Sequence, residues 1–223
     1  QDVVLTWYGL RQQTEKQEDA QDHMRPSRCL ADFIAPRDLL PPPLGEGGGG
    51  GTLSNQSTLA RDYIGAFAVT AGIGAEDRVQ QFMAAHDDYS AIMLKALADR
   101  LAEATAEWLH QRVRTDLWGY AVDEGLSNDE LIAEKYRGIR PAPGYPACPD
   151  HRVKKPLFDL LGAREIGMDV TDHYAMTPAA SVSGFYFSHP EATYFSVGKI
   201  DESQAADMAE RSGVPLADVE RAL

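Results

Sequence analysis

Apolar and polar positions alternate with a period of two in three parts of the chain. Residues 2–8, "DVVLTWY", are β-branched and aromatic and predict a strand. Residues 62–72, "DYIGAFAVTAG", predict a second strand, with Gly65 inside it. A glycine within a strand marks close approach by another backbone or by a ligand. Near the C-terminal end, "MDVTDHYAM", "SVSGFYF" and "TYFSVGKI" are short alternating segments parted by "TPAA" and "SHPEA". They predict a meander of antiparallel strands.

Between these parts the period changes. Over residues 85–117, Ile92, Met93, Leu97, Leu101, Ala104, Trp108 and Leu109 recur every three or four residues, which predicts an amphipathic helix with those side chains inward. A second ridge carries Lys95, Asp99, Glu103 and Glu107 at spacing four. Each step of four drifts about 40° around a helix, so these residues form a slanting stripe. It is either a solvated face or a line of carboxylates whose end turns into a cleft and meets a cation. "HDD" at 86–88 reads as a helix N-terminus, where carboxylates satisfy the first amides. "SNDE" (127–130) is a capping box that opens a helix running to Gly138. "PLFDLL" (156–161) begins another, with proline at the first position. "DESQAADMAERSG" and "VPLADVERAL" supply two more, punctuated by Gly213 and Pro215. The sum is α+β, an antiparallel sheet with helices gathered around it.

Composition narrows the class. At 223 residues and 43% hydrophobic, the chain can bury a sizeable core without staples. No apolar run reaches membrane-spanning length, and no leader pattern opens the sequence. A formal charge of −13 argues against nucleic acid and against anionic membranes as partners. Cys29 and Cys148 lie far apart without CxxC partners, which suits a reducing, cytoplasmic compartment. Cys148 and His151 form a C-x-x-H, but no second ligand pair stands near enough in sequence to complete a metal site. Residues 41–58, "PPPLGEGGGGGTLSNQST", are a low-complexity insert expected to be poorly ordered.

The chemistry concentrates in "RGIRPAPGYPACPDH" (137–151), where four prolines forbid a helix or a central strand. Arg140 offers a planar fork suited to a carboxylate. Pro141 and Pro143 leave few conformations to freeze, Gly144 admits a close backbone approach, and Tyr145 offers a flat face. A ligand loop and a rigid structural loop with Arg140 in an internal ion pair both fit. No GxSxG, P-loop, GxGxxG after a strand or HExxH is present.

Four segments, "GIRPAPGYPACPDH", "RDYIGAFAVT", "HDDYSAIMLKALADRLAEA" and "SVSGFYFSHPEATYFSVGKI", resemble the activation domain of cobalamin-dependent methionine synthase. "LRQQTEK" and "CLADFIAP" fit as well, so the likeness spans nearly the whole chain outside 41–58. The resemblance implies a C-shaped α+β domain with its ligand, S-adenosylmethionine, in a shallow groove. In that family the enzyme moves a methyl group from 5-methyltetrahydrofolate to homocysteine. When its cobalamin is oxidised, S-adenosylmethionine remethylates it with an electron from flavodoxin or a related reductase. Cobalamin belongs to a neighbouring domain of the parent enzyme, and zinc to another; both that cobalamin domain and the reductase are implied partners. The matching motifs imply that Arg140 binds the ligand carboxylate and that Ala142 and Gly144 contact it through the backbone. They place Glu103 near its cationic groups, Tyr194 and Phe195 beside it, and Tyr145 toward the corrin. No catalytic residue or metal ligand is implied on this chain.

Two features depart from the family. Phe195 stands where tyrosine is common, and the chain begins downstream of a segment whose aspartate holds the ligand's amino group. Residues 1–223 are therefore expected to be an N-terminally incomplete activation domain without turnover of its own. An acidic flavodoxin would need a local basic patch, for which Arg137, Arg152, Lys154, Lys155 and Arg164 are candidates. The competing readings are an interaction domain that docks on a cobalamin domain without binding S-adenosylmethionine, and a free-standing methyltransferase.

Overall fold

The computed structural model describes residues 3, 5–13, 27–36 and 62–223. The Pro/Gly insert expected at 41–58 lies outside them. The architecture is α+β, with two small antiparallel sheets and six α-helices among the described residues. Strand β1 (Gly65–Thr70) pairs with β4 (Ser181–Tyr186) from Gly65↔Tyr186 to Thr70↔Ser181. Strands β2 (Asp169–Val170) and β3 (Met176–Thr177) form a separate short hairpin.

The period-two pattern of "SVSGFYF" is used on both faces. Phe185 and Phe187 enter a cluster with Leu30, Phe33, Ile139 and Leu157. Tyr186 points the other way, joining Phe67, Ala106 and Val113. A strand buried on both sides must have both faces covered. Here α2 (Asp88–Arg112) covers one and α4 (Lys154–Leu161) lies toward the other.

Helix α2 is where the expectation fails most instructively. Asp87 caps it by accepting from the Ser90 amide, as the "HDD" reading requires. The inward face, however, is Ala91, Ala98, Ala102, Ala106 and His110. Of the large side chains expected inside, Ile92 is 68%, Leu97 54%, Leu101 60% and Trp108 55% exposed, and only Leu109 leans on the core. Two stripes share one helical period, and periodicity does not say which faces in. The alanine stripe does so because methyl side chains let the helix axis approach the sheet and α1 (Ala75–Ala84), a helix the sequence pattern did not reveal.

Other helices differ from expectation at their bounds. Helix α3 (Asn128–Ile132) keeps its capping box, with Ser127 and Glu130 exchanging bonds, but stops well before Gly138. The chain turns left-handed at Glu134 (φ 53°), which carries Tyr136 inward. Helix α4 begins two residues ahead of Pro156. Helices α5 (Glu202–Ser212) and α6 (Leu216–Ala222) fall where Gly213 and Pro215 place them.

Neither "DVVLTWY" nor "TYFSVGKI" is a strand in its described residues. Leu5 and Trp7 pack on the Phe185 cluster instead of joining a ladder. Val197 donates to the Pro146 carbonyl (2.8 Å) and accepts from Gln13 (3.2 Å). Pro146 has no N–H to return, so a ladder cannot propagate there.

Beyond α2 the backbone widens into a π-turn, Val113–Leu117. Arg114 lies fully buried on Glu124, with Nε donating at 2.8 and 2.9 Å and Nη2 at 2.7 Å. His110 is equally buried, and its imidazole is pushed down to about 2, by burial first and then by Arg114 and Arg140.

The inward alanine face makes Ala102→Leu destabilising by about 1–3 kcal/mol, as overpacking is. Leu101→Ala, one residue along, should move stability by no more than about 0.5 kcal/mol. Urea unfolding of both variants checks this, and the reverse ranking contradicts the orientation. The neutral His110 adds a pH dependence. Its unfolded counterpart takes up a proton near pH 6.5, whereas the folded one does not, so this contribution is intact above that pH and shrinks as pH falls. By pH 5 the loss is about 2 kcal/mol. The stability difference between wild type and His110→Gln should narrow by that amount between pH 7 and 5; a constant difference contradicts it.

Candidate functional site

The proline-rich loop is attached to the free edge of β4. Ile139 and Phe187 exchange backbone bonds at 3.0 Å, and Phe185 donates to the Pro141 carbonyl at 3.0 Å. Gly184 makes this possible, because a Cβ there would stand 2.5 Å from the Pro141 oxygen. The loop then folds on itself through Gly144 to Cys148 (2.7 Å), Tyr145 to Ala142 (3.2 Å) and Cys148 to Tyr145 (2.9 Å). Gly144 has φ 91°, and the His151 ring occupies the place of a side chain on it. The arginine at the head of the loop is thus fixed to the sheet on one side and followed by a tight turn on the other.

This loop, α2 and residues 194–196 enclose a groove of about 790 Å³. Arg140, Ala142, Tyr145, Glu103, Tyr194 and Phe195 all line it. Gly144 does not; its contribution is the turn. The stripe on α2 does slant into the cleft: Asp99 and Glu103 are on the groove wall, and Glu107 lies behind it on Arg140. Glu103 is exposed and paired with Arg100 at 2.8 Å. Sequence reasoning missed Ser181 and Val182 of β4 and Glu134 as lining residues. Nothing in their local sequence marks them, because the left-handed turn at Glu134 and the docking of β4 are tertiary.

Arg140 is ion-paired internally and also lines the groove. Nη2 donates to Glu107 Oε2 at 2.5 Å. Nη1 contacts His110 Nδ1 and Tyr136 Oη, each at 3.1 Å. A guanidinium only donates, so His110 Nδ1 is the bare acceptor and its proton sits on Nε2, 3.3 Å from Tyr120 Oη. The imidazole is locked by stacking on Tyr186 (5.2 Å, 16°) and by the edge contact with Tyr136 (5.0 Å, 78°). Tyr194 Oη accepts from the Arg140 amide at 3.1 Å and meets Tyr136 Oη at 3.4 Å. Burial, then Tyr194, holds the Tyr136 phenol well above the usual range, so it stays protonated. Three of the five guanidinium donors are taken, which leaves Nε–H and one Nη2 hydrogen.

Three of the five candidate basic-patch residues are ion-paired within the fold. Arg152 is bound by Asp150 (2.8 Å), Lys155 by Asp172 (3.0 Å) and Arg164 by Asp159 and Asp169 (2.8 and 3.0 Å). Lys154 is buried, donating to His151 Nδ1 (2.7 Å) and the Tyr174 carbonyl. Arg137 donates to the carbonyls of Ser188 and Tyr120. Three of the five cations are paired with carboxylates, whereas Arg137 and Lys154 meet only neutral acceptors, so the positive field of the group is reduced and not cancelled. Burial pushes the Cys148 thiol up to about 12, which disfavours the thiolate a metal would need.

No described helix is long and apolar enough to cross a membrane. A solved structure of the MetH reactivation domain bound to AdoHcy is 48% identical to this chain, with a TM-score of 0.82. It is matched by all of this chain, which spans 61% of that structure's length. Residues 1–213 match the family described as vitamin B12 dependent methionine synthase, activation domain. The chain belongs to that family, the activation domains of vitamin B12-dependent methionine synthase.

Proposed function

We propose that this chain is the S-adenosylmethionine-binding reactivation module of a cobalamin-dependent methionine synthase. Its role is to support reductive remethylation within an enzyme that passes a methyl group from 5-methyltetrahydrofolate to homocysteine. The electron comes from flavodoxin or a related reductase. The cobalamin, carried by a neighbouring domain, supplies the metal that accepts the methyl group.

The observation that carries this reading is Arg140 at the groove wall with two N–H donors left over. The rest of the groove suits the same ligand. With a carboxylate on Arg140, the ammonium and sulfonium would share the groove with Asp99 and with Glu103, the latter already paired with Arg100 on the same wall, so Asp99 supplies the uncompensated negative charge. Tyr194 and Phe195 offer aromatic surface for a purine, and Ala142 offers backbone. Tyr145, largely exposed at the rim, is placed to meet a docked domain. The work asked of the protein is positioning of the methyl donor. No acid or base is needed, and the imidazole behind Arg140 is neutral and committed.

The second reading, a docking domain without this ligand, draws on the exposed apolar side of α2. Calorimetric titration with S-adenosylmethionine separates the two. Arg140→Ala should weaken binding about ten- to a hundred-fold, the worth of a charge-assisted pair. Arg140→Lys should not restore it, because an ammonium cannot make the two parallel bonds. Unchanged affinity in Arg140→Ala contradicts the assignment.

A further inference from the structure

The guanidinium of Arg140 is held from behind by three acceptors that do not themselves line the groove: Glu107 Oε2, His110 Nδ1 and Tyr136 Oη. His110 and Tyr136 are also held by groups other than Arg140. Glu107 projects from α2 three residues before His110, so one helical turn presents both to the same arginine. His110 is fully buried between two tyrosine rings, with its proton directed to Tyr120. Tyr136 lies under two cations, 4.5 Å from the Arg114 guanidinium and 5.7 Å from that of Arg140, and Arg114 is itself pinned by Glu124.

The donor inventory gives this arrangement a consequence. Both Nη1 hydrogens and one Nη2 hydrogen are taken, so Nε–H and the second Nη2 hydrogen remain. Nε and Nη2 share one side of the planar fork, the side that accepts a carboxylate through two parallel bonds. A long side chain without these partners would spread over many rotamers and lose that geometry. We propose that Glu107, His110 and Tyr136 are positioning residues that hold Arg140 so that it offers a single bidentate edge to the ligand carboxylate. Glu107 does so as a charged acceptor, His110 as a neutral one. A second carboxylate in place of His110 would over-neutralise the arginine; an imidazolium there would repel it. This rests on the reading of Arg140 as the ligand's anchor.

The test is the preference of the 223-residue chain for S-adenosylmethionine over its decarboxylated analogue, measured by calorimetry. The analogue keeps the adenosine and sulfonium, so its own affinity reports a folded groove. Glu107→Ala should cut the preference about ten-fold, whereas Glu107→Gln, which keeps an acceptor oxygen, should stay within about three-fold of wild type. Tyr136→Phe, which deletes one oxygen and keeps the ring, should lower the preference in the same direction and serves if Glu107→Ala fails to fold. Arg140→Ala is the reference. If it abolishes the preference while Glu107→Ala and Tyr136→Phe leave it intact, the positioning role is overturned and the anchor stands. If Arg140→Ala leaves the preference intact, the anchor itself falls.

Discussion

A buried guanidinium cannot shed its charge, and this constraint organises the middle of the molecule. Arg114 and Arg140 both lie inside, one wholly and one largely. Each must have its donors met or pointed at something that will meet them. Arg114 is met by the Glu124 carboxylate at Nε and Nη2, while its buried Nη1 has no hydrogen-bond partner and the guanidinium lies over the Tyr136 ring. Arg140 is met on one side by Glu107, His110 and Tyr136, and on the other it opens on a groove. Burial first, and then the two arginines, keep His110 neutral; burial and then Tyr194 keep the Tyr136 phenol protonated against the pull of Arg140, and both guanidiniums lie close to that ring.

Bringing these groups together requires backbones to approach closely, and small residues permit it. The alanine face of α2 seats that helix against the sheet, which delivers Glu107 and His110 to Arg140. Gly184 admits the Pro141 carbonyl, which ties the loop to β4 and sets where Arg140 begins. The prolines that follow keep the loop from wandering. The core and the groove are two sides of one arrangement, and substitutions of the small residues should be felt at both.

Much of this was legible beforehand, and the failures have physical causes. The β1 and β4 segments, the Asp87 and Ser127 caps and the Gly213 stop are local chemistry, and all lie where the sequence placed them. The loop at 140–148 was legible because proline and glycine leave few alternatives. The inward face of α2 was misread because bulk, rather than period, decides which of two stripes packs. "TYFSVGKI" reads as a strand until its partner is seen to be Pro146, which cannot return a bond. The basic patch was a sum of sequence charges, and folding placed an acid or a carbonyl beside each member. Glu107 was visible as a step in a stripe, but its bond to Arg140 spans 33 residues and no local signal announces it.

The central claim is that Arg140 is held from behind so that one edge of its fork can take a carboxylate. The most direct measurement is a crystal structure of this chain grown with S-adenosylmethionine. The account predicts two parallel bonds from Arg140 Nε and Nη2 to the ligand's carboxylate, with the Glu107, His110 and Tyr136 contacts unbroken. A ligand whose carboxylate lies away from Arg140, or an arginine that swings off all three partners to reach it, would contradict it.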